Sequence, residues 1–210
     1  MLERILILKA PRVLHIISSL DTGGAEMMLY KLLARFSEKG VTTQVISLKR
    51  NGPVATRIET FGIKVHSLNL GLGYWQVILA IPRIIWLVRR FSPDVIQGWM
   101  YHGNLFATIG SFFVFSKVLV CWNIRQTLYD IQKEKQLTRW VICLNKVLSR
   151  HPSYILYNSE LSASQHERYG YCPKGRIIIG NGFDLERFKP QPELKGEIRK
   201  ELKLTSSYVV

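Results

Sequence analysis

Residues 12–26 read RVLHIISSLDTGGAE, and the fold follows from how this stretch is parsed. Val13, Leu14, Ile16 and Ile17 form a short apolar run, the pattern of a strand buried on both faces of a parallel sheet. Asp21, Thr22, Gly23 and Gly24 interrupt it. From Ala25 onward Met28, Leu29, Leu32, Leu33 and Phe36 recur at helical spacing. Strand, glycine turn and helix start together present backbone N–H groups to an anion. Paired glycines carry no Cβ to hold a ligand off and admit positive φ where a turn needs it. A tight βα turn without a ligand reads the same way. The turn matches neither the dinucleotide fingerprint nor the phosphate-binding loop.

The alternation continues along the chain. Strands are expected at 41–48, 63–68, 118–122, 154–157 and 176–179, with a further one, the fourth in order, beginning at Asp94 to Gln97. Helices are expected at 53–61, 75–91, 102–115, 137–149 and 159–169. Repeated βα units of this length imply a Rossmann-like, doubly wound parallel sheet with right-handed crossovers. Ligands then bind beyond the carboxyl ends of the strands.

The chain has 210 residues, 29 Lys plus Arg against 15 Asp plus Glu, and a formal charge of +14. That surplus favours anionic partners: phosphates, acidic glycans or anionic lipid surfaces. Nucleic-acid recognition is disfavoured, because no helix-turn-helix, zinc finger or aromatic strand pattern accompanies the charge. Cys121, Cys143 and Cys172 form no metal or disulfide pattern, which points to a reducing, cytoplasmic compartment. No signal peptide is evident. Residues 74–88 are strongly apolar but carry Pro82 and Arg83 and run into Arg89 and Arg90. Such a helix packs in a core or lies on a bilayer surface with its basic end toward anionic headgroups.

Residues 181–192, NGFDLERFKPQP, read as a turn and linker, and 192–204 as a charged helix. Tyr208, Val209 and Val210 resemble the start of another buried strand. The expected organisation is an extension at 1–11, an α/β domain at 12–180, a linker and helix at 181–206, and at 207–210 the first strand of a second domain.

VLHIISSLDTGGAE, DVIQGWMYHGNLFA, WNIRQT, ILYNSELSASQHERYGY and IIIGNGFDLERFKP follow one another at the ends of the expected strands. In order and spacing they resemble the N-terminal domain of the family 4 retaining glycosyltransferases, which have the two-lobed GT-B architecture. The resemblance implies the acceptor-binding half of an enzyme moving a hexose from a nucleotide-sugar donor to a glycan or lipid-linked acceptor. It implies polysaccharide or cell-envelope biosynthesis, at the cytoplasmic face of the membrane. It implies no metal and no cofactor beyond the nucleotide-sugar co-substrate, with backbone dipoles and basic groups stabilising the leaving phosphate. This half alone is expected to be inactive. A non-catalytic basic module that binds anionic glycan or membrane is the alternative.

Residue by residue, the resemblance places Gly23 and Gly24 at the donor phosphate and His102 at the reacting sugar as the catalytic candidate. Glu26, Trp99, Tyr101, Asn104 and Arg125 become candidates for acceptor or sugar binding. Each also has a simpler reading. Glu26 favours a helix N-terminus unaided, Trp99 and Tyr101 plug the sheet end, and Arg125 is a surface guanidinium. Asn158 and Ser159 read as helix caps. Asn181, Gly182 and Asp184 match the linker segment, with tight-turn chemistry of their own. Glu193 and Glu201 reproduce the spacing of a paired-glutamate motif of the second lobe, but within a lysine-rich surface helix.

Overall fold

The computed structural model describes residues 10–71, 74–114, 117–183, 185–186, 188–190, 195–201 and 203. Two compact units divide the chain, Met1–Gly180 and Asn181–Val210.

The first unit alternates strand and helix throughout: β1 (Val13–Ile17), α1 (Gly24–Glu38), β2 (Thr43–Ser47), α2 (Pro53–Glu59), β3 (Lys64–Ser67), α3 (Tyr74–Phe91), β4 (Val95–Trp99), α4 (Met100–Ser111), β5 (Leu119–Ile124), α5 (Gln136–Leu148), β6 (Tyr154–Tyr157), α6 (Glu160–Tyr169) and β7 (Arg176–Ile178). All strands are parallel, in the order β3-β2-β1-β4-β5-β6-β7. The sheet grows in one direction from β1 to β3 and in the other from β4 to β7. Strand order therefore reverses between β1 and β4, where a crevice opens at the carboxyl ends.

Alternation within β1 feeds both faces. Leu14 and Ile16 join Ile84, Val88 and Phe106 in one core, while Ile17 joins Leu29, Leu33, Val54 and Ile58 in the other. Burying each such side chain stabilises the fold by about 1.5–3 kcal/mol. A third core, around Trp122, Ile142, Ile155 and Tyr157, holds α4, α5 and α6 against β5 and β6.

The bounds on both sides of α4 differ from expectation. The fourth strand runs on through Trp99, and α4 begins at once at Met100 rather than at 102, because Met100 takes a φ of +60° and turns the chain without a loop. The helix ends at Ser111 instead of 115, and β5 extends to Ile124 rather than stopping at Trp122. The apolar helix at 74–91 is continuous through Pro82. Among the described residues no helix is long and apolar enough to cross a membrane.

In the second unit a short charged helix, α7, covers Lys195–Glu201 and includes Glu201. Glu193, most of the N-terminal extension and the expected strand at 207–210 lie outside the described residues.

Candidate functional site

The loop after β1 is held by its backbone. Lys49 N donates to Ser18 O at 3.0 Å and Val54 N to Leu20 O at 3.1 Å. A Cβ at Gly52 would strike Leu20 O and Asp21, so the loops after β1 and β2 lie against each other. Gly23 is the N-cap of α1 in extended conformation, φ −163°, with no side-chain cap on the helix. Gly23 itself brings no capping side chain to the first amides of α1. Neither Gly23 nor Gly24 adopts positive φ, so the expected conformational need for glycine is absent. What glycine supplies here is room. A Cβ on Gly24 would meet nothing within 4 Å, and one on Gly23 would collide with the Glu26 carboxylate. Glu26, half-buried in the first turn of α1, leans over Gly23 rather than outward.

Beside it, β4 turns directly into α4. Met100 is a non-glycine residue in the left-handed region, a conformation that costs of order 1–3 kcal/mol and persists only when its surroundings impose it. They do so closely. A Cβ at Gly103 would strike Ile16 O, and one at Gly98 would strike the Asn104 backbone. His102 thus stands in the first turn of α4, over the end of β1 and half-buried. Burial, and then the charge of Lys49 from the end of β2, lower its pKa below the ordinary imidazole value. The positive end of the helix dipole acts in the same direction. A neutral imidazole, able both to donate and to accept a hydrogen bond, is the form set by this environment.

The aromatic neighbours are committed elsewhere. Trp99 is 2% exposed, and its indole N–H donates to His15 Nδ1 at 3.2 Å. Tyr101 is equally buried, with its hydroxyl 2.8 Å from His166 Nε2. Neither ring offers a face for a sugar to stack on, which corrects the expectation for both. Asn104 is fully buried, its Oδ1 accepting from Asn123 N at 3.3 Å. It ties α4 to β5 instead of meeting a ligand.

Arg125 follows β5, half-buried, and donates to Asn123 Oδ1 at 3.2 Å and to Ile179 O at 3.3 Å. Its own carbonyl accepts from Asn158 Nδ2. The arginine thereby ties the ends of β5, β6 and β7 rather than standing bare as an anion hook. Ser159 caps α6, its Oγ accepting from Ser162 N. Asn181 and Gly182 are exposed in the second unit, and Asp184 lies outside the described residues.

Of the residues singled out in sequence, Gly23, Gly24, Glu26 and His102 stand at the carboxyl ends of adjacent strands. Lys49 joins them unforeseen; its only sequence signal was its place one residue after an expected strand. His166 and Asn145, which anchor Tyr101 from α6 and α5, were equally invisible.

The profile of Glycosyltransferase Family 4 matches residues 22–187, from the turn after β1 to beyond β7. The chain belongs to Glycosyltransferase Family 4. Solved structures agree with this family 4 chain in fold. HepE from Anabaena, in complex with UDP and glucose, superposes with a TM-score of 0.71 at 20% identity, over 92% of this chain and 50% of that one. The lipopolysaccharide outer core galactosyltransferase WaaB gives 0.62 at 13% identity, over 83% of this chain and 46% of that one. UDP-N-acetylglucosamine 2-epimerase from Rickettsia bellii gives 0.59 at 14% identity, over 94% and 52%. No curated protein matches the family 4 chain in sequence. It spans about half the length of the solved structures it resembles. A 2-epimerase and a galactosyltransferase on one fold illustrate that fold alone does not choose the chemistry.

Proposed function

We propose that this chain is the acceptor-binding half of a retaining glycosyltransferase. It serves transfer of a hexose from a nucleotide-sugar to a glycan or lipid-linked acceptor, in polysaccharide or cell-envelope biosynthesis at the cytoplasmic face of the membrane. The observation that carries this reading is the pairing of two features at the switch point: the start of α1 after β1, open at Gly24 beside the Glu26 carboxylate over Gly23, and neutral His102 in the first turn of α4 after β4. Helix amides attract the donor diphosphate without a metal ion. The imidazole holds a hydroxyl of the transferred sugar or of the acceptor at the reacting centre. Lys49 adds positive charge close to His102. In this reading the nucleotide and most of the donor sugar sit on an opposing lobe, and this half alone does not turn over donor.

UDP-glucose, with which HepE has also been crystallised, is the first donor to try. With the complete protein, His102→Ala is expected to lower turnover by about 100-fold or more, with the thermal melt unchanged. Turnover equal to wild type would remove His102 from the chemistry.

A further inference from the structure

The crevice makes no use of the outer face of α3. Its inner face is conventional, with Ile84, Leu87, Val88 and Phe91 buried in the core. The outer face is not polar, as a solvated helix requires. Ile78 is 55% exposed, Leu79 74% and Trp86 54%. Beyond α4, Phe113 extends the patch: it is 39% exposed and shares a shallow hollow with Pro82, Ile85, Trp86, Arg89 and Arg90. An apolar surface this continuous marks a binding face.

Charge identifies what binds there. The charged residues of α3 are all basic, Arg83, Arg89 and Arg90, and the first acidic residue after it is Asp94. The Asp94 carboxylate is already engaged by the Arg12 backbone N–H. On α3, positions 79, 83, 86 and 90 fall on one stripe, so apolar and cationic side chains alternate along it. The Arg90 guanidinium lies 5.2 Å over the Trp86 ring, and Arg89 Nε donates to Phe113 O at 3.0 Å. Tryptophan beside arginine, over aliphatic side chains, suits the depth at which lipid headgroups meet acyl chains.

We propose that the outer face of α3, with Phe113, seats the protein on a bilayer surface that contains anionic lipid. The helix lies in the interface, with Leu79 and Trp86 among the upper acyl segments and Arg83, Arg89 and Arg90 at the phosphates. A second copy is the poorer occupant, because a two-fold contact through this face brings like-charged arginines together. The assignment deepens the membrane part of the proposed function and is independent of sugar transfer.

The test is co-sedimentation of the protein with phosphatidylcholine vesicles, with and without phosphatidylglycerol. Binding is expected at low salt to the anionic vesicles, about tenfold or more stronger than to neutral ones, and weakening as salt screens the headgroups. Leu79→Asn with Trp86→Asn should lower the partition coefficient by about tenfold. Each of Arg89→Gln and Arg90→Gln should lower it about fivefold. Trp140→Asn, an equally exposed apolar residue on α5, should leave it unchanged. The proposal is overturned by absence of binding to anionic vesicles, or by a loss in the Trp140 variant that matches the loss on α3. It is equally overturned if sedimentation velocity shows a dimer that the α3 variants dissociate. Because sedimentation reads binding without turnover, its outcome stands apart from sugar transfer: the catalytic reading is decided only by turnover of the complete protein and its His102→Ala variant, and either proposal can fail while the other holds.

Discussion

The Tyr101 hydroxyl stands 2.8 Å from His166 Nε2, linking the residue before His102 to helix α6 across 65 positions of sequence. His166 Nδ1 lies 2.7 Å from Ser162 O, so Nδ1 carries the proton and Nε2 accepts from the tyrosine. The Tyr101 carbonyl in turn accepts from Asn145 Nδ2 of α5 at 2.8 Å. The first turn of α4 is thus clamped from two sides, which is what holds Met100 in its left-handed conformation and His102 in place.

Tyr101→Phe should therefore cost about 1–3 kcal/mol, since it leaves a fully buried imidazole nitrogen without a partner. Urea unfolding measures it. A change within error would mean that the clamp contributes nothing and that sterics alone hold the turn.

Trp99 offers the same contrast for the core. If it stacked on acceptor, Trp99→Phe would weaken acceptor binding and spare stability. The structure calls for the reverse: a loss of about 1–3 kcal/mol from the shortened ring and the unpaired His15 nitrogen, with acceptor KM little changed. A raised KM at unchanged stability would return Trp99 to the site.

The glycines separate space needed for folding from space needed for a ligand. Gly103→Ala sets a Cβ against Ile16 O, a backbone atom that cannot swing away, and should destabilise the protein by several kcal/mol or leave it insoluble. Gly24→Ala meets nothing and gains helix propensity, so stability should hold or rise by up to about 1 kcal/mol. Its donor affinity should nevertheless fall, because the methyl group occupies the approach to the helix amides. Titration calorimetry of the complete protein with the nucleotide-sugar decides it; unchanged affinity would place the phosphate elsewhere.

Acid should destabilise the fold early. Burial lowers the pKa of His15 to about 3, and the buried His166 is lowered as well. An imidazole with a folded pKa below its unfolded one is protonated more readily in the unfolded chain. Its stabilising contribution is complete above about pH 6.5 and is lost as pH falls toward the folded value. His15 alone should cost about 2 kcal/mol between pH 6.5 and 5, at about 1.4 kcal/mol per pH unit. Unfolding free energies that stay level from pH 7 to 5 would contradict the buried, neutral state of His15.

The chain's sequence by itself determined the parallel α/β sheet, the place of the glycine turn after the first strand and of the histidine after the fourth, and the family. Those are local matters: a buried parallel strand must be apolar throughout, an amphipathic helix must repeat its apolar residues, and each glycine turn lies between them. Ser159 could be read as a cap because capping acts over three residues. Only the tertiary structure decided what the side chains around His102 do. Trp99, Tyr101 and Asn104 carry the chemistry of ligand binders, yet their partners, His15, His166 and Asn123, come from β1, α6 and β5. Likewise Lys49 reaches the neighbourhood of His102 only because β2 and β4 flank β1 in the sheet. Whether a polar or aromatic side chain faces solvent or core depends on elements distant in sequence that happen to close over it, and no local pattern records that closure.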